Sequence, residues 1–251
     1  MSEDPISRNR PYWDRSSDEY QERHGGALGE QPEAWGVFRI PEAELRVLGE
    51  IRGLDALELG CGAAQWSIAL HRRGARAVGL DLSQRQLAHA RRLVAEAGIE
   101  LPLVLGSAER LPFDDASFDL VLSDHGATTF SRPELAITEA ARVLRSGGVF
   151  VFCGASPLLD IAWNNETREI DDRLHANYFD LYRLDDEEAS ATYYQLSYGN
   201  WVRLFRDSGL LIDDLIEIRP PAGAETTYAD YVDLDWARRW PAENLWRLRK
   251  I

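Results

Sequence analysis

Apolar and polar positions along this chain switch between two periods, and the switching predicts its architecture. Leu54, Ala56, Leu57 and Leu59 read as a short buried strand; Gly60 and Gly62 break it, and helical spacing takes over from Ala63 to Leu70. That helix ends at Arg72-Arg73-Gly74, with cations in its last turn and glycine at its cap. Ala75 to Leu80 reads as a second strand, ended by Asp81. Ser83 with Gln86 three residues on is a capping box, predicting a helix that runs to Ala97 and stops at Gly98. Leu101 to Leu105 and Phe118 to Ser123 read as a third and a fourth strand. Ser131 and Glu134 form a second capping box, for a helix ending near Leu144; Gly147-Gly148 then turns the chain into a fifth strand, Val149 to Cys153. Strand and helix in alternation predict an α/β fold, a parallel sheet with helices on both faces.

The flanks lack this rhythm. Residues 1 to about 10 are polar and expected to fray. Tyr12 to His24 predicts a helix with Trp13 and Tyr20 on one face, ended by Gly25-Gly26, with His24 at a turn or on the surface. Pro41 precedes a predicted amphipathic helix whose apolar face is Leu45, Val47, Leu48 and Ile51. From Ala155 to about Ala191 the pattern lapses, and a long irregular insertion in a compact domain is usually functional or mobile. Thr192 to Leu196 reads as a strand, Asn200 to Ser208 as a helix with Gly209 at its end, and Leu211 to Ile218 as a last strand. The tail carries Trp236, Trp240 and Trp246, rings too costly to leave in water, so it is expected to pack on the domain or on a partner. Without internal repeats or a low-complexity linker, the chain reads as one domain. Its parts are a cap (1–52), a core (53–154), an insertion (155–191), a C-terminal strand pair (192–219) and a Trp-rich tail (220–251).

Composition narrows the functions. A formal net charge of −14 over 251 residues argues against nucleic acid, whose phosphates it would repel. Cys61 and Cys153 give neither a disulfide framework nor metal-ligand spacing, and read as small buried fillers in a reducing cytoplasm. No window approaches the ~18 apolar residues of a membrane span, and Glu3 and Asp4 stand where a signal peptide would need other chemistry.

Strand, glycine turn, helix is the geometry of a nucleotide-type cofactor site. Gly60 can take a positive φ, and Gly62 removes a side chain where a ligand would press on the backbone. Glu58, at the carboxyl end of the strand, would accept hydrogen bonds from a cationic or amino-bearing ligand and repel a pyrophosphate. Gln65 stands where a dinucleotide fingerprint needs its third glycine, which, with Glu58, disfavours a nicotinamide oxidoreductase.

The run Glu58-Leu59-Gly60-Cys61-Gly62 resembles the first motif of class I S-adenosylmethionine (SAM) dependent methyltransferases. Gly106-Ser107-Ala108-Glu109-Arg110-Leu111-Pro112-Phe113 is similar to the Gly-Asp-Ala-Glu-x-Leu-Pro-Phe motif of the ubiquinone/menaquinone-biosynthesis-like branch, the type 11/25 methyltransferase domain, and Ser117-Phe118-Asp119-Leu120-Val121 is also family-like. The resemblance implies a Rossmann-like, doubly wound seven-stranded sheet in the order 3-2-1-4-5-7-6, the last strand antiparallel, with the C-terminal pair formed by 192–219. It implies SAM as cofactor, with Gly60, Cys61 and Gly62 against its methionine part. Glu58 would order the turn or meet the amino group through water. Asp81 would accept the ribose hydroxyls and Leu82 would pack on the adenine. Ser107 replaces the aspartate that contacts the adenine amino group, leaving the Ala108 backbone, beside Glu109, to meet the ring. Ser123 and Asp124 complete the expected cofactor side. An N-terminal lid helix makes Tyr12 and Tyr20 cofactor candidates; equally, they would staple a surface helix to the core.

The chemistry implied is an in-line displacement at an activated methyl group, with alignment worth ~7–11 kcal/mol. A hydroxyl or phenol acceptor calls for a base near neutral pH. His125, at the end of the fourth strand with Asp124 beside it to orient it, is the first candidate, and His175 in the insertion the second; the other reading of His125 is a pocket lining. The expected acceptor is a small molecule, partly aromatic or apolar, bound by a monomer or homodimer. A non-catalytic SAM-binding protein on the same fold is the alternative.

Overall fold

The computed structural model describes residues 4–251. The part of the frayed segment that falls on residues 1–3, and Glu3, lie outside the described residues. From Pro5 onward the expectation of fraying is corrected: helix α1 spans Pro5–Glu30 without interruption. Asp4 caps it, its side chain accepting from the Ile6 N–H, and Pro5 opens it, where a missing N–H costs nothing. Gly25 and Gly26 lie inside α1 rather than ending it. Their low helix propensity is overridden by tertiary contacts just before them, where Arg23 pairs with Asp230 and His24 stacks on Tyr228. The amphipathic helix expected after Pro41 shrinks to one turn, Glu42–Leu45, closed by Arg46 in the left-handed region (φ 56°). Val47, Leu48 and Ile51 still bury, but from irregular backbone.

The core then follows its alternation: β1 (Asp55–Leu59), α2 (Gln65–Arg72), β2 (Arg76–Asp81), α3 (Gln84–Glu96), β3 (Leu103–Leu105), β4 (Phe118–Asp124), the single turn α4 (Ala127–Phe130), α5 (Pro133–Val143) and β5 (Leu144–Ala155). Ser83 caps α3, accepting from the Arg85 and Gln86 N–H groups, but Gln86 does not reach back; its Oε1 accepts from Gln21 on α1 instead. The second capping box is not formed. Arg132 is the residue before α5, Pro133 opens that helix, and Glu134 Oε1 accepts from the Tyr182 hydroxyl.

Beyond β5 come α6 (Pro157–Ala162), α7 (Tyr198–Asp207), β6 (Leu210–Ile218), α8 (Leu234–Arg239) and β7 (Glu243–Lys250). Among the described residues, seven strands form one sheet in the order β3-β2-β1-β4-β5-β7-β6, with β7 antiparallel to both of its neighbours. That is the order 3-2-1-4-5-7-6, yet the segments filling its last two places differ from those expected. The strand near Thr192 is Ala191–Tyr194, which pairs with Arg183–Asp186 in a separate ribbon. The last strand comes from the Trp-rich tail: Glu243–Lys250 inserts between β5 and β6, and Trp246 buries while Trp240 stays exposed.

The period of two along each strand divides the core between the two faces of the sheet. Ala56, Leu120, Leu122, Val151 and Cys153 face one cluster, together with Trp35, Trp66 and Trp236. Leu57, Leu59, Val121, Phe150 and Phe152 face the other, with Ile137, Trp201, Phe205 and Trp246. The edge strand β6 is guarded by charge and by a bulge between Ile212 and Asp214, where Asp213 pairs with Arg247 and Arg249.

Candidate functional site

A cleft of about 930 Å³, counted out to where it opens to solvent, lies over the carboxyl ends of β1, β2 and β4, roofed by α1. That is the place and size at which an open α/β sheet binds a ligand.

The turn after β1 is fastened first. The Gly60 and Cys61 N–H groups both donate to the Leu80 carbonyl at 2.8 and 2.9 Å, tying the turn to β2. Gly60 has φ +73°, and a Cβ there would lie 2.3 Å from the Ala127 nitrogen, so the approach of α4 to the turn requires glycine. At Gly62 (φ +51°) a Cβ would meet nothing nearer than 3.7 Å, leaving space beside the backbone for a ligand. Glu58, buried, accepts from Ser67 N–H at 2.8 Å and Ser67 Oγ at 2.5 Å, thereby fixing the start of α2. Burial pushes its carboxyl up to about 8. Asp81 spans the two turns, Oδ2 accepting from Gly62 N–H and Oδ1 from Ser83 N–H, each at 2.8 Å. Burial raises it to about 6.

Leu82, Ser107 and Ala108 line the cleft, and so do Cys61, Asp124 and Tyr20. Four expectations are corrected. Tyr12 does not line the cleft; Trp13 does, because the helical turn that aims Trp13 and Tyr20 inward rotates Tyr12 away. Glu109 also lies outside the lining. Its carboxylate accepts from the Arg132 N–H at 2.8 Å and from its guanidinium, anchoring the entry to α5. Ser123 points below the cleft and donates to the Leu59 carbonyl at 2.9 Å. His175 is exposed on the insertion, its Nε2 against Asp171 Oδ1 at 2.9 Å and its N–H bonded to the Ile161 carbonyl, away from the cleft. His24 needs correcting too. It is buried, stacked on Tyr228 at 3.9 Å and bonded through Nδ1 to Thr227 Oγ1 at 2.7 Å, and burial lowers its pKa.

His125 lines the cleft at the end of β4, in the left-handed region (φ 47°). Asp124 does not orient it. That carboxylate accepts from Gly36 N–H at 3.1 Å and Trp66 Nε1 at 3.3 Å instead. The partner of His125 is Glu243 of β7, 118 residues away, whose Oε1 lies 2.5 Å from Nε2. Burial is the strongest single influence on His125 and opposes its charge. Glu243, with Asp124 and Asp160 behind it, outweighs burial and raises the pKa above the usual histidine value. Asp124, His125 and Cys153 bring a carboxylate oxygen, a ring nitrogen and a sulfur within 4.8 Å of one another. The carboxylate and the imidazole are already bonded, and burial holds the thiol protonated, so we assign no metal there.

Three carboxylates, Glu58, Asp81 and Asp124, line the cleft, against a single arginine, Arg39. The buried Nε of Arg39 has no partner. Such a set of acceptors suits a ligand that carries positive charge and hydroxyl donors, and repels a pyrophosphate. SAM, with its sulfonium, ammonium and ribose hydroxyls, meets those terms. Trp13 (on α1), Leu28, Pro32 and Phe130 add apolar surface to the lining.

Residues 57–152 match the model of the methyltransferase domain family, and the fold and cleft are similar to those of class I SAM-dependent methyltransferase domains. Among curated proteins, the chain is 40% identical over 114 residues to a fatty-acid O-methyltransferase of Mycolicibacterium smegmatis, a match covering 45% of this chain and 41% of that protein. It is 32% identical over 111 residues to the demethylmenaquinone methyltransferase of Bacillus subtilis, covering 43% and 48%. The chain thus spans under half the length of these two relatives. An SAM-dependent methyltransferase from Mesorhizobium loti shares the fold, with TM-score 0.65, 23% identity and coverage of 83% of this chain and 96% of that one. Among the described residues, no helix is long and apolar enough to cross a membrane.

Proposed function

We propose that the protein transfers the methyl group of SAM to a small-molecule acceptor by in-line displacement. The observation that carries this reading is the cleft: a ring of carboxylates around an open glycine turn, with His125 on the wall beyond it. SAM, when bound, supplies a methyl group activated by its sulfonium. The chain's residues do the rest. Asp81 accepts the ribose hydroxyls, Gly62 leaves room beside the backbone, and Leu82 and Ala108 flank the base. Asp124 supplies negative potential toward the cationic end, and Glu58 joins it once the bound cation favours its ionised form.

The roof is pinned over the cleft. Asn9, fully buried, donates to the carbonyls of Phe130 (2.7 Å) and Thr192 (2.8 Å) and accepts from Thr192 N–H (2.8 Å), pinning α1 over α4. Tyr20 and Tyr228 bond at 2.7 Å and close the other end. The apolar side chains of the lining then offer the acceptor a place to dock, and His125 is placed to take its proton. The catalysed transfers of the two curated relatives, to a fatty acid and to a demethylmenaquinone, agree with a small apolar acceptor.

The test is transfer of radiolabelled methyl from SAM to a panel of phenols, quinols, fatty acids and amines. Labelled product together with S-adenosylhomocysteine is the expected result. SAM binding with no transfer to any of them would favour a non-catalytic SAM-binding protein.

A further inference from the structure

We propose that Glu243 is a positioning residue that holds His125 as a general base with Nδ1 facing the cleft, and that the acceptor is therefore an un-ionised hydroxyl on an aromatic or enolic carbon. This rests on the methyltransferase reading above and deepens it.

Glu243 is 1% exposed, on a strand wedged into the sheet, and so cannot swing away. Its Oε1 accepts from His125 Nε2 at 2.5 Å and from Val37 N–H at 2.8 Å. The amide just before, Gly36 N–H, holds Asp124. A Cβ on Gly36 would fall 2.6 Å from Glu243 Oε1, so this close bracket requires glycine there. One backbone step thus fixes the carboxylates on both sides of His125. An ionised carboxylate can only accept, which puts the imidazole proton on Nε2 and leaves the lone pair on Nδ1. Among the described residues, no protein group bonds Nδ1.

The groups around His125 are Glu243 from β7, Asp124 and Cys153 from β4 and β5, Asp160 from α6, and Tyr231, whose ring meets the imidazole edge-on at 5.8 Å. Arg39 lies behind Asp124. The surrounding charge favours the imidazolium that forms once the base has acted.

This equipment is wasted on a carboxylic acid, which is already ionised at neutral pH. It is suited to a phenol, quinol or enol, whose O–H proton must leave as the methyl arrives. The O–H bond breaks, its electron pair stays with the acceptor, and the proton forms an N–H bond at Nδ1. The acceptor oxygen, or the carbon conjugated to it, bonds the methyl carbon while the C–S pair departs with S-adenosylhomocysteine. His125 then returns its proton to solvent.

The first measurement needs no acceptor. In protein saturated with S-adenosylhomocysteine, imidazole ¹⁵N shifts of His125 are followed against pH in the wild type and in Glu243→Gln, which keeps shape and an acceptor but loses charge. Expected are the Nε2–H tautomer in the wild type and a lower His125 pKa in the variant. An Nδ1–H tautomer, or an unmoved pKa, would overturn the positioning role. The second measurement is methyl transfer to 2-naphthol and to hexadecanoate. Expected is transfer to 2-naphthol, with kcat at least tenfold lower in Glu243→Gln, the acid limb of the pH profile displaced downward, and SAM affinity within twofold of wild type. Transfer to hexadecanoate alone, or to neither probe, would overturn the acceptor class while SAM binding leaves the cofactor reading standing. Absence of SAM binding would sink the underlying reading instead.

Discussion

Gly60 shows how a single residue sets the site. Its φ of +73° and the 2.3 Å that would separate a Cβ from the Ala127 nitrogen are independent demands, one on torsion and one on space. Gly60→Ala should therefore cost about 2–4 kcal/mol of stability, read as a lower midpoint in urea. A loss within error would mean that α4 yields easily and the contact is not needed. This residue was legible in sequence, because a glycine between an apolar strand and a helix signals its own torsion. Asp81 was legible as the residue that ends the second strand, while the ribose and adenine roles of Asp81 and Leu82 are what the family resemblance implies. Glu109 and Ser123 misled because motif position fixes where a Cα lies and says nothing of which neighbour captures the side chain. Arg132 takes Glu109, and the Leu59 carbonyl takes Ser123. Glu243 gave no signal at all. Its partner is 118 residues away, and Glu-Asn-Leu-Trp-Arg-Leu-Arg-Lys reads as a charged tail until β5 is beside it.

At the scale of elements, the roof and the last strand carry the argument. Helix α1 is held mainly by polar bonds rather than by a broad apolar face. Ser83 Oγ donates to Asp14 at 2.7 Å, Gln21 Nε2 to Gln86 at 2.9 Å, and Asn9 makes three bonds below. Asn9→Ala leaves the Thr192 N–H and carbonyl buried without partners and the half-buried Phe130 carbonyl unpaired, at roughly 2–4 kcal/mol in total. The expected outcome is faster amide exchange confined to α1, with weaker SAM binding and little change in β1 and β4. Uniform loss of protection across the sheet would show that α1 is part of the global core rather than a roof. The helix was legible in its middle, where Trp13 and Tyr20 fall seven apart. It was not legible through Gly25-Gly26, where His24 stacked on Tyr228 overrides local propensity. Likewise the βα rhythm predicted the parallel sheet, and the family resemblance implied its order, while the segments in its last two places were not foreseen. Strand pairing between Glu243–Lys250 and Leu144–Ala155 is non-local, and period two in a charged tail is easily missed.

For the molecule as a whole, the acidic cleft makes stability depend on pH. Burial raises Glu58 from an ordinary 4.5 to about 8, and Asp81 from 3.8 to about 6. The folded state therefore binds protons that the unfolded state has already released. The stability these groups contribute is full below their ordinary values and is lost as pH rises through the folded ones. Without ligand, the melting temperature should fall between about pH 5 and 8 at constant ionic strength. Glu58→Gln, which can still accept from Ser67, should flatten the upper half of that fall. An unchanged slope in the variant would show that Glu58 is not the group responsible. A cationic ligand reverses the trend, since it favours the ionised carboxylates, so SAM should bind more tightly at pH 8 than at pH 6.

The central claim is that this cleft holds SAM through Asp81, and calorimetric titration tests it most directly. SAM titrated into the wild-type protein should bind at one site, and Asp81→Ala should weaken that binding roughly 10- to 100-fold, the worth of one or two charge-assisted hydrogen bonds. Equal affinity in the two proteins, or no heat of binding in either, would contradict it.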